Sequence, residues 1–385
     1  MKLTGNNLVI VNILATYVRI VLVAGMGLFS VRWVLQALGS EDFGLYSVVG
    51  GLIVFIMVIG NTMSSSVQRF YAYAIGQGDP VEVQRWFNCA FSLHAAFAVI
   101  LILLGLPFGH YLISHVMQIP LERMKICHWV YNLSILGATS TILSTPFLGM
   151  FYARQRIFEL TFWQSLQALG LFVFAFYLLR LPGDLLLIYA LGVIGIKLTL
   201  DATQVVRARK LFNSCQFEPS YFFPKKRSRE LISYAGWRLF GSLGVTLKNH
   251  GVNFLINIFF GSRVNAAYAV GNQVAVQAEG ITGALTNAIS PEITSREGAN
   301  QRERMLSLSL RTSKFAVLLT FLWLIPLYLE IDYVLQLWLP QVPPHTGNFC
   351  RIIIIAYLAN LLSIGYKTAV YAYGKIGGFQ ITVGG

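Results

Sequence analysis

LQALGSEDFGLYSVVGGLIVFIMVIGNTMSSSVQRFYAYAIGQGD, residues Leu35 to Asp79, sets the plan of the chain: a short polar turn feeds a long apolar helix. From Phe260 to Ala299 the plan returns as FGSRVNAAYAVGNQVAVQAEGITGALTNAISPEITSREGA. One constant offset carries Gly39-Ser40 onto Gly261-Ser262, Tyr46 onto Tyr268 and Val48 onto Val270. Both copies end near a basic residue and a glycine. The echo implies two related halves, an internal duplication of the kind that builds many membrane bundles.

Composition places these helices in lipid. Of 385 residues, 56% are hydrophobic and 12% charged, and mean hydropathy is +0.63. Apolar runs of about twenty residues recur, the length that a ~30 Å hydrocarbon core demands of a helix. Backbone groups in lipid must be satisfied within the segment, so runs this long form helices rather than barrel strands. The expectation is an all-α, polytopic membrane helix bundle. The net charge of +13 lies mostly in connections between apolar runs. That distribution fits cytoplasmic placement of those connections rather than nucleic-acid binding. Cys89, Cys127, Cys215 and Cys350 have no CxxC or metal spacing and read as small apolar residues. No metal and no cofactor is expected. Lys2 precedes an apolar segment longer than a signal-peptide core, so that segment is expected to remain as the first span.

Apolar runs fall at about Leu8–Leu35, Leu45–Ile75, Trp86–Ile113, Ile126–Phe151, Phe158–Leu179, Leu185–Val206, Leu231–Phe260, Ala266–Ile289, Phe315–Leu339 and Ile352–Tyr373, and another begins at Gly377. Every second connection is basic, the longest running from Arg207 to Glu230 and containing FEPSYFFPKKRSRE. The alternate ones carry Glu41 and Asp42, Asp184, or Glu330 and Asp332. The N-terminus is therefore expected in the cytoplasm, with Trp33, Trp129 and Trp338 at outer boundaries and Trp86, Trp163 and Trp237 at inner ones. Residues 1–207 form one expected lobe, 208–230 a cytoplasmic linker and 231–385 a second lobe. Six spans in the first lobe give both the same orientation, hence parallel repeats. No connection is long enough to fold as a domain, and the chain has no Walker loop, HExxH, GxSxG or clustered acidic motif. An enzyme is not expected.

Charges inside the spans carry the functional expectations, because each is costly unless it faces protein or water. Arg19 lies roughly 18 Å into the first span, near the midplane. Lys248 is near the middle of the seventh, with His250 beside it and Arg238 toward the cytoplasmic end. Arg19 and Lys248 could line a positively charged cavity suited to an anion such as a pyrophosphate, or each could pair with a carboxylate and organise packing. Glu279 shares a helix face with Asn272 and Thr286, spaced seven residues apart, with Gly283 beside them. It is a candidate to couple a cation gradient to movement, or to neutralise Lys248 or Arg19. Lys197 and Asp201, four residues apart, can pair within one helix or relay a proton. Arg32 and Lys367 are expected to snorkel.

LGSEDFGLYSVVGG after a first span with a central Arg, then NTMSSSVQRFYAYAIGQGD, then STPFLGMFYARQRIFELTFWQSLQAL, resembles the polysaccharide-flippase branch of the multidrug/oligosaccharidyl-lipid/polysaccharide exporter superfamily, the Wzx-type O-antigen and capsule flippases. The resemblance covers essentially the whole chain. It implies two six-helix lobes around a central cavity, and alternating access that moves an undecaprenyl-pyrophosphate-linked oligosaccharide from the inner to the outer leaflet of a bacterial inner membrane. It further implies a proton or sodium gradient as driving force, surrounding membrane lipids and a functional monomer. On it, Arg19, Lys248 and Arg238 are candidates for the lipid-linked anion, and Glu279 and Asp201 for ion coupling. Relatives often carry an acidic residue after span four where this chain has Gln155. With four complete helices after the linker against six before it, the second lobe is expected to be incomplete, as in a truncated protein. The alternative is a multidrug or metabolite cation antiporter of the same superfamily. A polysaccharide polymerase-type enzyme would need a large outer loop that the spans leave no room for.

Overall fold

The computed structural model describes the backbone of residues 5–117, 119–338, 342 and 345–384. Side chains of residues 5–17, most of 47–59, 245–251 and much of 253–281 lie outside the described set. Every regular element among the described residues is helical. The helices are α1 (Gly5–Gln77), α2 (Pro80–Ile100), α3 (Leu106–His115), α4 (Leu121–Ala153), α5 (Ile157–Tyr177), α6 (Leu185–Leu211), α7 (Lys225–Gly298), α8 (Arg302–Leu329), α9 (Ile331–Trp338), α10 (Thr346–Leu361), α11 (Ile364–Tyr373) and α12 (Gly377–Gly384).

Two helical runs are too long to cross a bilayer once. α1 has 73 residues and α7 has 74, roughly 110 Å each at 1.5 Å per residue. α1 breaks at Gly39, where φ is 72° and ψ 175°. That conformation is open to glycine and strained for residues with a Cβ, so the turn expected from the sequence is made at Gly39. α7 contains the second copy of the motif, and the side chains at Gly261-Ser262 fall outside the described residues.

The helix ends extend the repeat. The second limb of α1 stops at Gly78 with φ 76°, and α7 stops before Asn300 with φ 58°. These two left-handed residues stand at the same offset that carries Gly39 onto Gly261. The next helices, starting at Pro80 and Arg302, keep that offset too. Asp79 caps α2 by accepting from the N–H groups of Val81 and Glu82 at 2.9 and 3.1 Å.

Five further runs are long and apolar enough to span: Pro80–His115, Leu121–Ala153, Ile157–Arg180, Leu185–Leu211 and Arg302–Leu329. The first of these widens into a π turn at Leu101–Gly105, just before Pro107, which has no N–H to donate. The Gly105 carbonyl in that turn accepts from the Tyr131 hydroxyl at 2.7 Å. The pair α10 and α11, bent by 44°, is also long and apolar enough when taken together.

One expectation changes. Span nine, expected at Phe315–Leu339, is α8 at Arg302–Leu329, and α9 is a separate short helix. The acidic pair marks the break: the Glu330 N–H closes on the Pro326 carbonyl at 3.0 Å, and Asp332 leaves to pair with Arg351 at 2.8 Å. Arg311 and Lys314, which hydropathy pushed out of the span, lie within α8. The chain divides into compact units Met1–Ala235 and Gly236–Gly385, and residues 208–230 fall within the first.

Within the first unit α1, α2, α4 and α6 close around Val34, Leu38, Val49, Tyr131, Ile135 and Ile142, all buried. Trp33 packs its ring against Phe172 and Phe176 of α5, centroids 4.9 and 5.1 Å apart. In the second unit, α11 lies against α8 and α10 against α8 and α9.

Candidate functional site

Asp42, from the opening motif, is buried and pairs with Arg123 at the start of α4 at 2.9 Å. The other arm of the same guanidinium bonds Asp184, whose second oxygen caps α6 by accepting from the Leu187 N–H at 3.1 Å. One arginine thus joins the connections before α4, before α6 and inside α1, and it orients all three around a shared charge. The sequence placed these charges on one side of the bundle; their convergence depends on tertiary packing.

Arg19 lies in the first limb of α1, half-buried. Its Nε is buried and meets no hydrogen-bond partner among the described residues. An unmet charged donor in an apolar bundle is costly, which keeps Arg19 a candidate contact for an anion. Lys248 lies in α7, and its side chain falls outside the described residues, as does that of His250.

Asp201 is 9% exposed. Its Oδ2 takes the Lys197 ammonium at 3.2 Å, one helical turn earlier, and the Ser140 hydroxyl of α4 at 2.7 Å. The intrahelical pair was legible from the spacing; Ser140 was not. Gly137, one turn before Thr141 on α4, makes the approach possible: a Cβ there would meet Ile194 Cδ1 at 2.6 Å and Lys197 Cδ at 3.7 Å.

In the second unit Arg238 stacks over the Tyr371 ring at 4.2 Å. Gln380 of α12 lies against the same tyrosine, with its amide 3.4 Å from the hydroxyl. Its Oε1 occupies the space that a Cβ at Gly241 would need, 1.9 Å away. Glu279 is exposed. It interacts electrostatically with Tyr357, whose hydroxyl is hydrogen-bonded to that of Thr282. A carboxylate one turn from a paired hydroxyl couple can hold a proton or a small cation among oxygen donors. Among the described residues no group of three His, Cys, Asp or Glu side chains could hold a metal ion. The five sequence candidates therefore divide between the units: Arg19 and Asp201 in the first, Arg238, Lys248 and Glu279 in the second.

The linker is held on the first unit by polar side chains of one face of α2. The Asn88 amide, fully buried, donates to the Gln216 carbonyl at 3.0 Å and accepts from the Glu218 N–H at 2.9 Å. The Ser92 hydroxyl accepts from the Phe223 N–H at 3.1 Å. Arg227 forks onto Glu82 at 3.0 and 2.7 Å, and Phe217 packs on Phe91 with centroids 4.6 Å apart. Burial pushes the Cys215 thiol up to about 12, against the opposing charges of Arg154 and Arg209. Because the folded state keeps its proton, this group stabilises the fold below its ordinary value of 9.0 and loses that contribution as pH rises toward 12. Maleimide labelling of Cys215 in the folded protein should stay slow between pH 7 and 9, where an open thiol speeds up roughly tenfold per pH unit. Fast labelling that tracks pH would show that the linker leaves its seat.

Residues 15–186 match the family model described as MatE. No curated protein sequence matches the chain. Among solved structures, a MATE point mutant superposes with a TM-score of 0.83 at 12% identity, covering 99% of this chain and 86% of that one. The MATE transporter ClbM in complex with Rb+ gives 0.78 at 15% identity, covering 98% and 83%. A transporter of the MOP superfamily from Pyrococcus furiosus, described by the reverse polarity of its binding pocket, gives 0.77 at 13% identity, covering 98% and 84%. The chain has the helical-bundle fold of MATE transporters, and its residues 15–186 match the MatE family model.

Proposed function

We propose that this protein is an ion-coupled membrane exporter that works by alternating access. The observation that supports it is the superposition on MATE transporters over 99% of the chain, together with intramembrane charges on both compact units. Small organic substrates come first, because the similar structures include a multidrug resistance transporter in an outward-facing conformation. A bound Rb+ in ClbM supports a monovalent cation as the coupling ion, with Glu279 as its candidate seat here and Asp201 as a second.

A second reading is favoured by Arg19. A half-buried guanidinium whose buried Nε is unmet among the described residues suits an anionic substrate better than a cationic drug. The Pyrococcus furiosus structure, whose reverse pocket polarity is said to suggest a different function, leaves room on this fold for a pocket of other polarity. On that reading the substrate is an undecaprenyl-pyrophosphate-linked oligosaccharide, with Arg19, Lys248 and Arg238 as its basic contacts.

Two bacterial hosts separate these readings, one lacking its drug exporters and one lacking its polysaccharide flippase. Ethidium efflux in the first, unaffected by Arg19→Ala, supports small-cation antiport. Surface polysaccharide restored in the second, lost in Arg19→Ala and partly kept in Arg19→Lys, supports the flippase. Activity in neither host counts against the exporter proposal. Glu279→Gln should uncouple export from the cation gradient by at least about tenfold in proteoliposomes; unchanged coupling leaves Glu279 a packing role.

A further inference from the structure

The first turns of α7 present two opposite faces. Arg227 forks onto Glu82, Ser228 meets Cys89 at 3.6 Å, and Leu231 and Tyr234 are buried. At about 100° per residue these four fall within an arc of roughly 120°. Lys225, Lys226 and Arg229 fall within an arc of about 100° on the other side. All three are exposed, and no ion pair to any of them is present among the described residues. The basic sequence KKRSR is thus sorted by helical phase, with one arginine used in packing and three cations left facing outward.

Two exposed apolar side chains flank the cations. Ile232, 56% exposed, continues the same face as α7 turns apolar. Phe223, also 56% exposed, stands just before Pro224 with a left-handed φ of 50°, and its N–H is held by Ser92. A phenylalanine kept in that conformation with its ring outward is fixed in place despite gaining no cover from its own chain. A soluble acidic partner would account for the cations alone. A lipid surface accounts for the cations and for the apolar residues on both sides of them.

The geometry points to this surface as a binding site for anionic phospholipid headgroups, with Lys225, Lys226 and Arg229 on the phosphates and Phe223 and Ile232 in the acyl boundary. Bound lipid would fix the α2-docked linker and the start of α7 at headgroup depth. This inference is independent of the substrate carried.

The test uses the purified full chain in neutral detergent, titrated with dioctanoyl phosphatidylglycerol or dioctanoyl phosphatidylcholine and read by native mass spectrometry. Phosphatidylglycerol should bind at least about tenfold tighter than phosphatidylcholine. The combined variant Lys225→Gln, Lys226→Gln, Arg229→Gln should lose that preference, with gel-filtration profile and helix content unchanged. Inorganic phosphate at equal concentration should not displace the lipid. Equal affinity for the two lipids, an unchanged preference in the triple variant, or displacement by phosphate would each overturn the assignment. Should the triple variant aggregate, Lys226→Gln alone decides: a preference reduced about threefold or more supports the site, and an unchanged one refutes it.

Discussion

Lys197→Ala should destabilise the protein by about 3 kcal/mol, the lower end of the loss incurred when one partner of a buried pair is removed. The carboxylate of Asp201 would keep only the Ser140 hydroxyl among the two partners that now share its Oδ2, and at 9% exposure water reaches it poorly. Removing both ends should be milder. Lys197→Ala with Asp201→Ala should recover at least half of the loss, since neither charge is then left alone, and the difference between the single and double variants measures the pair. SDS-induced or thermal unfolding of the detergent-purified protein reads both. A single variant as stable as the parent would mean that Asp201 is already neutral or hydrated, and the relay role would regain ground. In that case Asp201→Asn should keep stability and abolish ion coupling, an outcome a purely structural pair does not give.

The sequence could show this pair because both members sit on one helix, where spacing alone fixes proximity. Ser140 was invisible for the opposite reason: it comes from another helix, 61 residues away, and nothing in a span that is apolar all round reports which face meets it. The same limit hid Arg123 between Asp42 and Asp184. Turns were legible where glycine had to supply a left-handed or open backbone, as at Gly39 and Gly78. The matching end at Asn300 needed the structure, since asparagine reaches that region without announcing it. Hydropathy starts span nine at Phe315 because Arg311 and Lys314 look polar, whereas both are exposed residues within α8. From the sequence the linker reads only as the longest cytoplasmic connection. Its packing depends on Asn88 and Ser92 of α2, small polar residues whose partners are backbone groups and leave no pattern.

Gly365→Ala should cost about 2 to 3 kcal/mol, and Gly365→Leu should prevent the second unit from folding. α11 approaches α8 so closely that a Cβ at Gly365 would lie 2.7 Å from the Ser309 carbonyl oxygen and 2.8 Å from Ser313 Cβ. The first obstacle is backbone, which cannot turn aside as a side-chain tip can. Relief would require the two helices to separate, and in lipid their association rests on just such close packing of small residues. Ser309 and Ser313 are both buried, so the gap opened by separation would not be filled by water. Gly378→Ala is the matched comparison: nothing lies within 4 Å of a Cβ there, and the added methyl should leave stability unchanged or raise it by a few tenths of a kcal/mol through the unfolded chain. Both variants are read by the same thermal unfolding in detergent. Equal stability of the two would show that α8 and α11 are not in the close contact described.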